Sequence, residues 1–337
     1  MLVTGTLLTA CTADQRQSVS PTPTETAGPG RNLDVGALVI PPAAAVMPRT
    51  WRERFVIPYG TGEVLLGTSP GGEGGSMDLG PESGAPGPDG TWWFLDAAKK
   101  RLAHYDANGG YLGQAKIPKN LLVNRTYFQW QLPHVLADGT LFAARQSEEG
   151  THLLRMRDGV LDEVAVDGSF SPIFDDGSRL YGFDDTSELV VVDPNDGSLS
   201  STKVLRTASG ASFSFGVTRR GLRIVLPGTG VSKVLPTTTA SGSPAHVGIQ
   251  VRAGADEVIH LFLTGAGEDD ESVQLVGATL IDAAGHVADV EPLSNPFTPA
   301  DPGSPAQLAM APGSSTPMLV YVDTDGVHVY ERTVSSE

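Results

Sequence analysis

The sequence predicts an all-β propeller of four-stranded blades, preceded by a non-globular tether. Three observations carry that expectation. Turn formers are abundant and charge is sparse, with 40 Gly and 25 Pro among 337 residues and 18% charged. This balance favours many short strands over long helices. Beyond position 50 no window of helical length carries an apolar stripe. From Phe55 onward, short apolar runs alternate with Gly-centred turns, and their openings recur roughly every 35–60 residues, the spacing of propeller blades.

The first element is an address. Leu2-Val3-Thr4-Gly5-Thr6-Leu7-Leu8-Thr9-Ala10 is short, uncharged and largely apolar, and it ends at Cys11, the one cysteine of the chain. A single cysteine forms no internal disulfide and no Cys-based zinc site. Leu8-Thr9-Ala10-Cys11 resembles the lipobox of bacterial lipoproteins. The resemblance implies cleavage before Cys11, acylation of its thiol and amine, and a place on the extracytoplasmic face of the cell membrane. The apolar run is too short to span a bilayer, whereas two or more acyl chains anchor stably. No Lys or Arg precedes the run, so the start of the signal segment is expected upstream.

Residues 12–31 are rich in Ser, Thr, Pro and Gly. Such a stretch has too little apolar surface to offset the entropy of ordering, and it reads as a tether. Leu33 to Arg49 is more apolar, and the sequence leaves open whether it docks on the domain or stays loose. The expected organisation is a signal segment at 1–10, a lipidated Cys11 with linker at 11–49, and a β-propeller domain at 50–335.

The clearest repeat runs from Pro86 to Gly113. Asp89-Gly90 and Asn108-Gly109 are hairpin turns, because Gly and Asn tolerate the positive φ that tight hairpins need. Asp96, Arg101, Leu102 and Tyr105 stand at the spacings of the NHL-type repeat of six-bladed β-propellers, which this copy resembles. In that family the Asp and Arg tie neighbouring strands, so Asp96 and Arg101 are expected to be structural. Weaker copies open at Pro133, Ser171 and Phe213. Val247–Val251, Val258–Leu263, Val273–Ile281 and Val287–Val290 form a four-strand set, and Gln307–Met310, Met318–Val322 and Val327–Tyr330 supply three final strands. Six blades are expected. The last borrows its fourth strand from the N-terminal side, with Glu63–Gly67 as the candidate, because pairing the two ends leaves no free edge. Seven blades or a β-sandwich are the alternatives, and a sandwich does not account for the recurring Asp-Gly openings.

The composition excludes some functions. A net charge of −16 repels phosphate backbones, so no nucleic-acid partner is expected. Pro70–Gly75 is Gly-rich but lacks the Lys-Ser/Thr end of a phosphate loop, and it reads as a connector between blades. No Gly-x-Ser-x-Gly elbow is present. Seven His show no metal-ligand spacing. Asp175, Asp176, Asp184, Asp185, Asp193 and Asp196 read as turn residues, and Glu268–Glu271 as a solvated hairpin tip.

Among possible ligand contacts, His134 follows Pro133 at the start of an inner strand and so can face a central channel. Tyr127 and Trp130 lie just before that strand, where aromatic side chains on propeller loops serve recognition. Trp92 and Trp93 alternate sides of one strand, which sends one of them between blades. The expectation is a monomeric binding or scaffold lipoprotein. Its partners are the membrane, through the anchor, and a protein, glycan or small-molecule ligand. No cofactor and no metal are expected. The alternative is a metal-dependent lactonase or hydrolase. Some proteins of this architecture hold a divalent ion with Glu, Asn and Asp, but no such set maps onto this chain.

Overall fold

The computed structural model describes residues 37–68, 83–96, 98–118, 133–147, 150–218, 221–226, 232–267, 274–294, 306–322 and 325–333. No helix occurs among them. Six four-stranded sheets follow one another along the chain, each running from an inner strand to an outer one.

Blade 1 contains β3 (Gly84–Pro86), β4 (Trp92–Asp96), β5 (Arg101–Tyr105) and β6 (Tyr111–Lys116). Blade 2 contains β7 (His134–Val135), β8 (Leu141–Ser147), β9 (Gly150–Arg157) and β10 (Val160–Ala165). Blade 3 contains β11 (Ser171–Asp175), β12 (Leu180–Phe183), β13 (Leu189–Val192) and β14 (Leu199–Ser201). Blade 4 contains β15 (Leu205–Arg206), β16 (Ser212–Thr218), β17 (Gly221–Val225) and β18 (Ser232–Leu235). Blade 5 contains β20 (Ala245–Ala253), β21 (Ile259–Gly267), β22 (Gln274–Ile281) and β23 (Glu291–Pro292). Blade 6 joins β24 (Ala306–Ala309), β25 (Met318–Val322) and β26 (Gly326–Arg332) to β2 (Trp51–Pro58).

The six-bladed expectation therefore stands, and the two chain ends do pair. The closing strand differs from the one anticipated. It is Trp51–Pro58, antiparallel to β26, and not Glu63–Gly67. A register shift between Glu53 and Phe55 breaks the period-2 pattern there, which hides the strand in the sequence. Glu63–Gly67 is instead held on blade 1. The Arg101 guanidinium donates to the carbonyls of Glu63 and Leu65, and the Gly67 N–H donates to Asp96 at 3.1 Å. The fourth strand of blade 5 also falls later than expected, at Glu291–Pro292, with Val287 making only an isolated bridge to Ile281.

The repeat has a common turn chemistry. Asp89, Asp138 and Asp176 each accept the backbone N–H two residues on, from Thr91, Thr140 and Ser178. The glycine between them has φ of 81°, 81° and 82°, a left-handed conformation that a Cβ disfavours. Each Asp-Gly-Thr/Ser thus fixes the hairpin between the inner two strands of its blade.

The core lies between blades. One cluster, with Phe55, Ile57, Trp92, Phe94 and Val320, fills the seam of blades 6 and 1. Others fill the seams of blades 1 and 2, 2 and 3, and 5 and 6, and a larger one runs through blades 3, 4 and 5. Trp92 is fully buried and meets Phe55 edge-on at 5.8 Å, while Trp93, on the other face, stacks on His104 at 3.9 Å. Burying each large side chain contributes about 1.5–3 kcal/mol.

Ahead of the ring, β1 (Leu38–Ile40) pairs in parallel with β19 (Thr237–Thr239), which follows blade 4. Leu38 and Ile40 are buried in the largest cluster, and bridges from Pro42 to Leu275 and from Ala44 to Ser294 continue the contact along blade 5. The described part of the Leu33–Arg49 stretch is therefore docked on the domain.

Candidate functional site: the polar axis

The inner strands converge on the axis, where a propeller assembles a site from residues far apart in sequence. Pro133, His134 and Val135 of blade 2 line a recess there. Asp175 of blade 3, Arg252 of blade 5 and Gln307 of blade 6 line it too, beside the backbone of β3. Its empty volume is about 240 Å³, counting space open to solvent, and its interior has room for about one water.

His134 is 2% exposed, and its Nδ1 lies 2.8 Å from Asp175 Oδ2. The carboxylate is the natural acceptor for an Nδ1–H, which leaves Nε2 as the free ring nitrogen. Nε2 is buried without a partner among the described residues. The other Asp175 oxygen accepts the Gly177 N–H at 3.2 Å. Burial pushes the Asp175 carboxyl up. The hydrogen bond and charge of His134, the Arg252 charge and the Gly177 N–H outweigh that push and hold it below the ordinary carboxylate range.

Arg252 is 7% exposed, and its Nη1 donates to Val251 O at 2.9 Å and to Ile173 O at 3.1 Å. The second of these bonds joins blade 5 directly to blade 3. It passes blade 4, whose inner strand is only Leu205–Arg206. Burial draws the guanidinium below its ordinary value, against the pull of Asp175. Gln307 Oε1 accepts the Gly84 N–H at 3.0 Å, tying blade 6 to blade 1, and Gln250 Oε1 accepts the Leu308 N–H at 2.7 Å, tying blade 5 to blade 6.

The hairpin-turn end of the axis is drawn together. The Ala137 N–H donates to Gly177 O at 2.7 Å, and the Ala255 N–H to Ser314 O at 3.1 Å. A Cβ on Gly177 would sit 3.7 Å from Pro312 Cβ, so the turns of the opposed blades 3 and 6 lie one methyl group short of contact across the axis.

Of the residues singled out in the sequence, His134 lies in this recess, whereas Cys11, Tyr127 and Trp130 lie outside the described residues, as does Pro70–Gly75. Asp175 is more than the turn residue it resembled: it keeps a turn contact and also orients His134. Its signal was the doubled Asp of Phe174-Asp175-Asp176-Gly177, where Asp176 takes the turn role that Asp89 and Asp138 fill elsewhere. Arg252 and Gln307 went unnoticed. Their signal was a polar side chain inside an inner strand.

Three other histidines serve elsewhere. His152 meets Glu163 at 3.2 Å, His286 meets Asp282 at 2.9 Å, and His328 bridges Glu53 and Asp325 at 3.0 and 3.2 Å. Asp96 and Arg101 form a buried ion pair at 2.9 Å across β4 and β5.

A divalent ion does not suit the donors present. Among the described residues no three of His, Cys, Asp and Glu cluster as a metal set. The recess offers one carboxylate and one imidazole beside a guanidinium, whose charge opposes a cation.

Fold and axis together define a six-bladed β-propeller with a polar, nearly filled centre. Residues 49–332 match the family described as Domain of unknown function (DUF7485), and the chain belongs to that family. No curated protein matches the sequence. Among solved structures, the chain is similar to virginiamycin B lyase from Staphylococcus aureus, with 9% identity, 76% of this chain and 96% of that one covered, and a TM-score of 0.39. It is similar to the calcium-binding protein regucalcin from Agrobacterium tumefaciens, with 14% identity, 88% and 96% covered, and a TM-score of 0.42. A Bacteroides fragilis protein described as exported gives 10% identity, 88% and 99% covered, and a TM-score of 0.48. None of these likenesses bears on ligand or chemistry, and the fold rests on the strand pairing itself.

Proposed function

We propose that this protein is an extracytoplasmic lipoprotein, anchored through Cys11, whose propeller acts as a binding or scaffold module. The observation that carries the reading is the filled axis. Turns of opposed blades lie close together, Arg252 and His134 occupy the centre, and the interior has room for about one water. A protein, glycan or other sizeable ligand therefore engages the loops around the rim. The lipobox at Leu8–Cys11 and the Ser/Thr/Pro tether support the address.

Metabolic labelling with a fatty-acid probe tests the anchor, which predicts incorporation that Cys11→Ser abolishes. Label retained by the variant overturns it. Metal analysis tests the choice between binding module and metal-dependent hydrolase. Purified full-length protein is expected to hold no stoichiometric Ca, Mg, Mn or Zn and to gain no thermal stability from them. Stoichiometric metal that is lost in Asp175→Asn favours the enzyme.

A further inference from the structure

The polar axis carries an unmet electrostatic demand. Arg252 is nine-tenths buried, yet no carboxylate lies within ion-pair distance of it among the described residues. Its Nη1 is engaged by two backbone carbonyls, those of Val251 and Ile173. Asp175 is the one carboxylate of the recess, and it is committed to His134 and the Gly177 N–H. His134 Nε2 is buried and unpartnered at the same recess. A buried guanidinium without a direct counter-ion is costly, and so is an unpaired ring nitrogen.

We propose that this recess binds a small monoanion, a halide or the carboxylate head of a small organic acid. Arg252 and His134 hold it, and His134 takes up a proton as it enters. The charge count supports the proton. His134, Asp175 and Arg252 are the only titratable or charged groups among the described lining residues; β3 contributes Gly84, Ala85 and Pro86, and β24 with the residue after it contributes Gln307, Ala309 and Met310. With His134 neutral, Arg252 and Asp175 cancel, and an added anion leaves one buried negative charge. One proton on His134 restores neutrality. Nδ1–H remains on Asp175, and Nε2 becomes a donor that faces the anion. Size selects within this class: the interior has room for about one water, so a halide fits within it, a carboxylate head reaches in from the side open to solvent, and a tetrahedral dianion is excluded. The inference goes beyond the binding role at the rim and does not depend on the anchor.

The test titrates full-length protein with chloride, acetate or sulfate at constant ionic strength, reading the thermal midpoint and, for chloride, the ³⁵Cl line width. The expected result is a saturable rise in midpoint with chloride or acetate but not sulfate, weakening as pH rises from 6 to 8. A response to chloride alone assigns a halide site, and a response to acetate assigns an acid-binding site. Arg252→Met is expected to abolish the response, and Arg252→Lys, which keeps the charge and is gentler on the fold, to weaken it at least tenfold. His134→Gln is expected to bind without pH dependence. Equal shifts from all three salts overturn the proposal, as does a response that Arg252→Lys leaves unchanged or that shows no pH dependence in the wild type. Loss of the anchor would leave all of these results in place.

Discussion

His134 Nδ1 and Asp175 Oδ2 meet at 2.8 Å, joining the inner strand of blade 2 to that of blade 3 across 41 positions of sequence. Inner strands in this ring range from two to nine residues, and His134–Val135 is one of two with only two. At blade 2 a side-chain bond therefore does what a longer ladder would do at the axis. The Gln307 and Gln250 bonds to backbone of the next blade, and the Arg252 bond to backbone of blade 3, also join blades through side chains.

That relationship gives the first prediction. Asp175→Ala leaves the His134 Nδ1–H unpaired and removes the charge nearest Arg252, and should cost about 3 kcal/mol. Asp175→Asn keeps an acceptor and should cost about 1 kcal/mol. The folded carboxyl is held below its ordinary value. Its contribution is thus fully present above the unfolded pKa of about 4 and is lost as pH falls through the folded one. Urea unfolding at pH 7 measures the costs, and an Asp175→Ala midpoint equal to wild type would falsify the role assigned to the pair.

His260 gives the second, with a different pH window. It stands opposite Arg252 in the β20–β21 ladder, is 6% exposed, and finds no partner for either ring nitrogen among the described residues. Burial, helped by the Arg332 charge and opposed by Asp256, pushes its pKa down to about 4. The unfolded chain takes up this proton below about pH 6.5 and the folded chain does not. Stability is therefore whole above pH 6.5 and falls toward pH 4, by at most about 3 kcal/mol. His260→Leu removes an unsatisfied polar group and this slope together, so it should match or exceed wild type at pH 7.5 and exceed it by more at pH 5. Comparing urea midpoints at the two values checks this. Parallel losses in both proteins count against it.

The sequence showed the architecture better than the site because the two are written at different ranges. Asp89-Gly90, Asp138-Gly139 and Asp176-Gly177 are local signals whose backbone demands hold in any context, and they mark the openings of blades 1, 2 and 3. The axis is a sum over blades. Arg252 and Gln307 carry no neighbouring motif, and only the ring brings them to His134. The closing strand was hidden for a third reason. Arg52-Glu53-Arg54 and the bulge beside them mask its apolar alternation, while Glu63–Gly67 imitates a strand although its Glu63 and Leu65 carbonyls are taken by Arg101.

The ring closure itself gives the third prediction. Phe55 and Ile57 of β2 insert between blades 6 and 1, and Phe55 is 6% exposed against Trp92. Phe55→Ala should cost about 3–5 kcal/mol from lost transfer energy and the cavity left behind. A polar latch lies on the same ladder, where His328 of β26 joins Glu53 of β2 and Asp325. Burial alone would lower the His328 pKa, but hydrogen bonds to both carboxylates outweigh it and raise it. The latch therefore stabilises fully below the unfolded value of about 6.5, and that stabilisation is lost as pH rises through the folded one. His328→Phe should open a deficit at pH 6 that narrows by pH 9, the reverse of the His260 trend, whereas the Phe55→Ala deficit should hold constant across the range. Thermal midpoints of the two variants across that range separate an apolar seam from an ionic one. A His328→Phe deficit that stays flat with pH would show that the imidazole acts there by its shape and not its charge.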